Sequence, residues 1–379
     1  MKEAIMALDG GGSNLRILVV DRKTNEKLYA QDINSGTNLS SVSNKEEALA
    51  NIRNLILTGF REIPQDYCVV GLGLSSAGTE IPENKRMLEE AVNAAVETAK
   101  MENDIVKNNP PKCFVTNDID ILLHSADIAL VAGTGTVGAV KYKDIEPYDN
   151  TDIEPYENPE EETIYKLDGN GYIGDAGSGY WIAMEILKKV ATIENLEGYM
   201  NRCGEFVAYD PEESYLVELV YSKVFEENGI SREEAQKLVL NRNVPAFVSL
   251  VYSATTVNGQ VLDRAKVGNL FGRIATEAAY QGDEAANDVL EQSAQELFKN
   301  IMAAYKKGKF AEKEFCKILL SGSVLVKNNI VRWHLEHKIR EKFPNAIVKV
   351  NTEKPVWSTI RYVDKKTPSK ELDRDDYEL

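Results

Sequence analysis

The chain has 379 residues, 43% hydrophobic and 27% charged, an ordinary balance for a folded protein with room for two domains. Its formal net charge of −16 speaks against nucleic acid or an anionic membrane as partner, because both demand a basic face. No apolar run approaches the roughly 20 residues of a membrane helix, and no charged-then-apolar leader precedes the first strand, so a cytoplasmic location is expected.

An apolar run at 4–8 ends in Asp9; Gly10, Gly11, Gly12 and Ser13 follow, and a second run at 15–20 closes on Asp21. Two short strands joined by a glycine-rich turn read as a β-hairpin. Consecutive glycines lose much backbone entropy on folding. What they offer is a backbone that can lie against a ligand and aim its N–H groups at an anion. Asp9 stands where a carboxylate could hold a hydrated Mg²⁺ beside that anion. On local sequence the stretch is equally a plain hairpin tip and a phosphate-binding turn.

A third strand at 27–31, a loop at 34–38 and a helix at 46–63 follow. The apolar strand at 68–74 runs into Ser75-Ser-Ala-Gly78, a helix spans 84–101, and a short strand at 112–116 ends at Asn117-Asp118. Three strands and then β-α-β-α-β form an α/β pattern, giving a first domain at 1–122. The second domain, at 123–363, opens in the same way: a strand at 128–132, the turn Gly133-Thr134-Gly135-Thr136, and a returning strand at 137–142. The recurrence points to a duplicated architecture. An acidic, proline-bearing stretch at 143–162, with DIEPY twice, reads as a surface insertion. The loop 168–178 carries Asp168 and Asp175 and precedes a helix at 178–192 whose first N–H groups would be open to a ligand. Helices at 211–225, from Ser231, at 262–280 and at 283–305 come next. A strand at 317–320 turns at Ser321-Gly322-Ser323, followed by a helix at 334–343, a strand at 347–350 and a charged tail at 364–379. Of the four cysteines, Cys68, Cys113 and Cys316 sit in strand patterns as small hydrophobes, and Cys203 in a loop, with no C-x-x-C pair.

Polar stretches at the ends of apolar strands are where α/β sheets bind ligands. Taken together and in this order, those of this chain resemble the sugar kinase/Hsp70/actin ATPases, and within them the N-acetylglucosamine kinase and BadF/BadG/BcrA/BcrD-type ATPase family. Asp9-Gly-Gly-Gly-Ser13 resembles the family's first phosphate motif, D-G-G-G-T, and Gly133-Thr-Gly-Thr136 its second, G-T-G-S. Gly174-Asp-Ala-Gly-Ser-Gly-Tyr-Trp-Ile182 is similar to the signature G-D-E-G-S-G-Y-W-I, the most specific piece. The resemblance implies two ribonuclease H-like (actin-like ATPase) domains with a nucleotide cleft between them, ATP and Mg²⁺ as cofactors, a small sugar as acceptor, and a homodimer. It places Gly10 to Ser13 and Gly133 to Thr136 on the phosphates, Asp9 on the metal, and Gly322 and Ser323 on adenosine. It makes Asp118 the catalytic base and puts Asn38, Asp118, Asn170, Gly171 and Asp175 on the sugar.

Phosphoryl transfer to a hydroxyl needs positioning, charge neutralisation and one base, which Asp118 at a strand end could supply. Asp118 also fits as an N-cap, Asn38 as a turn residue and Asp175 as a helix-start residue. Several positions depart from the family: Ala176 replaces a carboxylate, the Trp-bearing loop is replaced by Gly169-Asn-Gly-Tyr172, an aromatic position is Ser40, and Lys-Thr is Asn14-Leu15. The ATP side therefore carries the fuller match. Three functions remain open: an N-acetylglucosamine-type kinase, an ATPase activator of a dehydratase or reductase with an iron–sulfur cluster, and a catalytically silent nucleotide or sugar sensor.

Overall fold

The computed structural model describes residues 1–11, 14–40, 42, 44–142, 163–169, 171, 174–210, 214–231, 234 and 244–368. Gly12, Ser13, Asn170, the insertion at 143–162 and the tail from 369 lie outside them. The chain divides into two compact units, Met1–His124 with the segment from Glu353, and Ser125–Thr352.

In the first unit, strands β1 (Lys2–Gly10), β2 (Leu15–Asp21), β3 (Lys27–Ile33), β4 (Tyr67–Ser76) and β5 (Lys112–Thr116) form one mixed sheet, ordered β3-β2-β1-β4-β5. β1 pairs antiparallel with β2 and parallel with β4, and β4 is parallel to β5. A central strand is covered on both faces, so β1 is an unbroken apolar run whose alternate side chains divide between two cores. Ala4, Met6 and Leu8 pack with Ile52, Ile56, Leu88 and Val92 from the helices Lys45–Glu62 and Pro82–Glu102. Ile5 and Ala7 pack with Val356, Ile360 and Val363 of the helix Pro355–Lys366.

That last helix corrects the domain expected at 123–363: its apolar face belongs to the first sheet. Gly71 and Gly73 of β4 make room for it, since a Cβ on them would stand 2.7 and 2.2 Å from Val363 methyl carbons. Glycine inside a strand here marks a close approach.

In the second unit, strands β6 (Ile128–Ala132), β7 (Thr136–Tyr142) and β8 (Thr163–Asp168) are followed by the hairpin β9 (Gly198–Met200) and β10 (Phe206–Ala208). β11 (Cys316–Ser321) and β12 (Ala346–Val350) complete a sheet ordered β12-β11-β6-β7-β8. β6 pairs antiparallel with β7, β7 antiparallel with β8, and β11 is parallel to both β6 and β12. Read from its hairpin end, this is the order and sense of the first sheet. The suspected duplication is therefore one of topology. β8 was not expected from sequence; it is an edge strand of partly exposed residues following the insertion.

The core of this unit is helical, built around Gly179–Leu196, Tyr215–Glu227 and Glu284–Lys307. The helix expected at 262–280 is two, Arg264–Phe271 and Ile274–Tyr280, divided at Gly272-Arg273. The helix expected from Pro211 begins at Tyr215, with the Ser214 side chain accepting from the Val217 N–H. Of the described residues of the helix expected from Ser231, Ser231 and Glu234 exchange the two hydrogen bonds of a capping box.

Candidate functional site

In the first unit, the hairpin register sets Asp9 directly opposite Arg16, and the parallel pairing sets Asp9 beside Ser75 and Ser75 beside Thr116. Neighbouring strands lie about 4.8 Å apart, so the end of β5 is roughly 10 Å along the sheet edge from Asp9. Asp9 is 7% exposed. Its Oδ1 accepts from Ser75 Oγ at 3.3 Å and its Oδ2 faces Arg16 Nη1 at 3.4 Å. Ser75 Oγ also meets Thr359 Oγ1 at 2.8 Å, which ties the row to the C-terminal helix. Burial raises the Asp9 pKa above the ordinary carboxylate value, while Arg16 and Ser75 work against the shift.

Gly10 and Gly11 differ in what surrounds them. A Cβ on Gly10 would overlap Thr37, whose Oγ1 is bonded to Ser76 Oγ at 2.8 Å. A Cβ on Gly11 would meet nothing within 4 Å. The N–H of Gly11 donates to Asn14 O and its carbonyl accepts from the Thr37 N–H. Gly11 therefore contributes open space, and its N–H closes the hairpin.

Asp118 is half-buried in the turn after β5. The capping bond of that turn is made by its neighbour: Asn117 Oδ1 accepts from the Ile119 N–H at 3.2 Å, and Asn117 Nδ2 donates to Glu80 at 2.9 Å. Asn38 does act as a turn residue, its Oδ1 accepting from the Ser40 N–H at 3.1 Å. The same oxygen lies 2.5 Å from where Gly78 would carry a Cβ, and Asn84 Nδ2 donates to Ser40 Oγ. Asn38, Ser40, Gly78 and Asn84 thus form one polar group.

In the second unit, the turns after β6 and β11 adjoin because the two strands are parallel neighbours. Gly322 has φ +89, and a Cβ there would fall 2.3 Å from Ala132 O. Only glycine allows that approach. A Cβ on Gly133 would find Ser323 Oγ at 3.9 Å. Gly133 to Thr136, Gly322 and Ser323 are therefore brought together at one edge of this sheet.

The helix N-terminus differs from expectation. Gly179 N–H donates to Gly133 O at 2.7 Å, Tyr180 N–H to Thr134 O at 3.3 Å, and Trp181 N–H to Ser178 Oγ at 3.1 Å. The first turn of this helix holds the Gly133–Thr136 turn in place and has no N–H left there for an anion.

Asp175 lies beside the same turn, 4% exposed and with φ +59. A Cβ on Gly135 would stand 2.4 Å from Asp175 Oδ2 and 3.1 Å from Arg264 Nη2. Asp175 Oδ2 and Arg264 Nη2 form an ion pair. Burial raises the Asp175 pKa; the Arg264 hydrogen bond and charge oppose it, and the Asp168 charge adds to it. Asp168 Oδ1 accepts the N–H groups of Gly169 and Asp175, and its Oδ2 accepts from Asn300, closing the loop that contains Gly171.

Arg16, Ser75, Glu80 and Arg264 surround these residues although nothing in the motifs singles them out, and Asp168 stands out only as an acid of its loop. Arg16 had a signal, since a hairpin turning at 10–15 must place it across from Asp9. Arg264 had none: it comes from a helix 89 residues beyond Asp175.

No protein-family model matches the chain, and no curated protein matches it by sequence. Solved structures do match. A candidate N-acetylglucosamine kinase from Chromobacterium violaceum aligns over 95% of this chain and 98% of its own, at 16% identity and a TM-score of 0.56. A candidate N-acetylmannosamine kinase from Listeria monocytogenes aligns over 97% and 99%, at 13% identity and a TM-score of 0.46. A ROK family glucokinase from Streptomyces griseus, solved with glucose and AMPPNP, aligns over 96% and 98%, at 14% identity and a TM-score of 0.44. The fold is α/β with two five-stranded mixed sheets, and it is the fold of the actin-like ATPases and sugar kinases.

Proposed function

We propose that the protein is an ATP-dependent sugar kinase of the N-acetylglucosamine kinase and BadF/BadG-type family, acting on N-acetylglucosamine or a related amino sugar. The observation that carries this reading is the strand-end chemistry of the two sheets. One edge presents Asp9, Ser75 and the Asn117-Asp118 turn, and the other presents the Gly133–Thr136 and Gly322-Ser323 turns. The likeness in fold to the Chromobacterium violaceum protein agrees with it.

In this reading Asp118 accepts the proton of the acceptor hydroxyl as the terminal phosphoryl group leaves ATP. Asn117, held by Glu80, fixes the turn that carries it. The open face of Gly11 leaves room for phosphate oxygens, and the Gly133–Thr136 turn of the second unit is a second glycine-rich turn suited to phosphate. Mg²⁺ would enter with the phosphates and keep its water, with Asp9 holding it across that water. The donor set fits that role: Asp9 is a buried carboxylate, and its cationic neighbour among the described residues, Arg16, stands at 3.4 Å. Asn38 and Asp175 orient the sugar.

The test is ADP release from Mg²⁺-ATP across a panel of amino sugars, hexoses and polyols, with a no-sugar control. ADP formed with amino sugars alone supports the reading and names the acceptor. Equal ADP without sugar favours an ATPase activator, and no ADP with any acceptor favours a sensor.

A further inference from the structure

Asp175 is held by one oxygen. Its Oδ2 is taken by Arg264, while its Oδ1 has no hydrogen-bond partner among the described residues. Thr136 Oγ1, on a residue 2% exposed, has none there either. The two residues adjoin, because the Thr136 N–H is among the groups that stabilise the Asp175 carboxylate. A buried acceptor and a buried hydroxyl, each without a partner, are costly unless something arrives to bond them. The partner that satisfies both must donate to a carboxylate and also bond a hydroxyl, which is the chemistry of an alcohol or amide N–H on a polar ligand.

Arg264 is built into this corner by more than its charge. Its Nη2 would stand 3.1 Å from a Gly135 Cβ and its Nη1 3.3 Å from a Gly171 Cβ. Its guanidinium carbon lies 5.5 Å from the centre of the Tyr180 ring. The helix that carries it is started by the Asp263 side chain accepting from the Lys266 N–H. Arg264 therefore spans the phosphate turn, the 168–175 loop and the first turn of the helix Gly179–Leu196.

We infer that Arg264 is a positioning residue for the acceptor: it clamps Asp175 through Oδ2 so that Oδ1 is presented to a hydroxyl or amide N–H of the sugar. This rests on the kinase reading above. The clamp has a second effect, on charge. Burial and the Asp168 carboxylate both favour a protonated Asp175, and Arg264 is the cation that opposes them. Without Arg264 the folded-state pKa of Asp175 rises further. The carboxylate that accepts the sugar's hydrogen bond is then lost at higher pH than in the wild type.

The experiment compares the wild-type protein with Arg264→Met, Arg264→Lys and Asp175→Asn. It measures KM for the acceptor and for ATP between pH 6 and pH 8.5, with folding checked by circular dichroism. Arg264→Met is expected to raise acceptor KM about tenfold or more at pH 7 and to leave ATP KM within about twofold, since a buried charge-assisted bond is worth about 1.5–3 kcal/mol. Its acceptor KM should worsen more steeply than that of the wild type as pH falls toward 6. Arg264→Lys should recover part of the loss, and Asp175→Asn should lose the acid limb altogether. A rise in ATP KM with acceptor KM unchanged would assign Arg264 to the phosphates and overturn the inference. An active wild type beside an equally active Arg264→Met overturns this role alone. A wild type inactive with every acceptor overturns the kinase reading, and this role falls with it.

Discussion

Gly322 and Gly11, at the turns after β11 and β1, are expected to fail in opposite ways when substituted, and the contrast tests the role proposed for each turn. Gly322 has φ +89 and ψ 158, a region that side-chain-bearing residues enter at a cost of about 1–3 kcal/mol. A Cβ there would also lie 2.3 Å from Ala132 O, against backbone that cannot swing aside. Overpacking of that kind adds about 1–3 kcal/mol, so Gly322→Ala should cost roughly 2–6 kcal/mol in all. For a unit of this size that is a fall in Tm of roughly 4 °C at the least. Gly11 has open space around its Cβ position and a φ outside the left-handed region. Gly11→Val should therefore leave stability within about 0.5 kcal/mol, while the branched side chain occupies the room the phosphates need. Urea unfolding and ADP calorimetry at fixed Mg²⁺, run on both variants, separate the two effects. A stable Gly322→Ala protein would refute the account of the β11 turn. Unchanged ADP affinity in Gly11→Val would sink the assignment of the first hairpin to phosphate.

Asp118→Asn should lower kcat by about 10²-fold or more with ATP affinity nearly unchanged; full activity would remove Asp118 as the base. Because burial raises the Asp9 pKa in the folded state above its unfolded value, the folded protein binds the extra proton between the two values, and stability from this group falls as pH rises through that window. In EDTA, Asp9→Asn should therefore show a flatter stability profile than the wild type from about the ordinary carboxylate pKa upward, and parallel profiles would contradict the burial account. Gly73→Ala should cost about 1–3 kcal/mol by pressing on Val363, and Val363→Ala about 2 kcal/mol by lost burial. Combined, they should cost measurably less than their sum, because the second substitution vacates the space the first one fills.

What was legible in the sequence was whatever is local. The run 4–8, the glycines and the run 15–20 declare a hairpin because period, composition and turn chemistry agree within a few residues. The same holds for the β6–β7 turn and for the Gly322 corner. What was hidden depends on partners distant in sequence. The helix Pro355–Lys366 is only 12 residues long, and its apolar Val356, Ile360 and Val363 have meaning only against Ile5, Ala7 and the two glycines of β4. Read alone, it merges into a charged tail. Arg264 is likewise an ordinary helix-start arginine until the fold sets it against Asp175. The N–H groups of residues 179–181 looked available because capping serine and helix were in view and the carbonyls of Gly133 and Thr134 were not.

These corrections share one physical cause, and it bears on how the site is built. Parallel strands end at one edge of a sheet, so Asp9, Ser75 and Thr116 fall in a single row whatever their side chains do. That row is set by backbone pairing and can be read from strand order alone. The groups that tune it come from outside the sheet: Thr359 behind Ser75, Glu80 behind Asn117, Gly179 and Tyr180 behind the Gly133–Thr136 turn, and Arg264 behind Asp175. In each case a group at a strand end or in the loop beyond it is bonded on one side by a neighbour the sheet does not supply. Both turns thereby gain rigidity without a longer loop, which is what phosphoryl transfer by positioning requires. Divergence within one fold can then act on the supporting residues while the row stays fixed. On the proposed kinase reading, Ala176 and the Arg264–Asp175 pair are therefore the positions at which substitution should change acceptor choice.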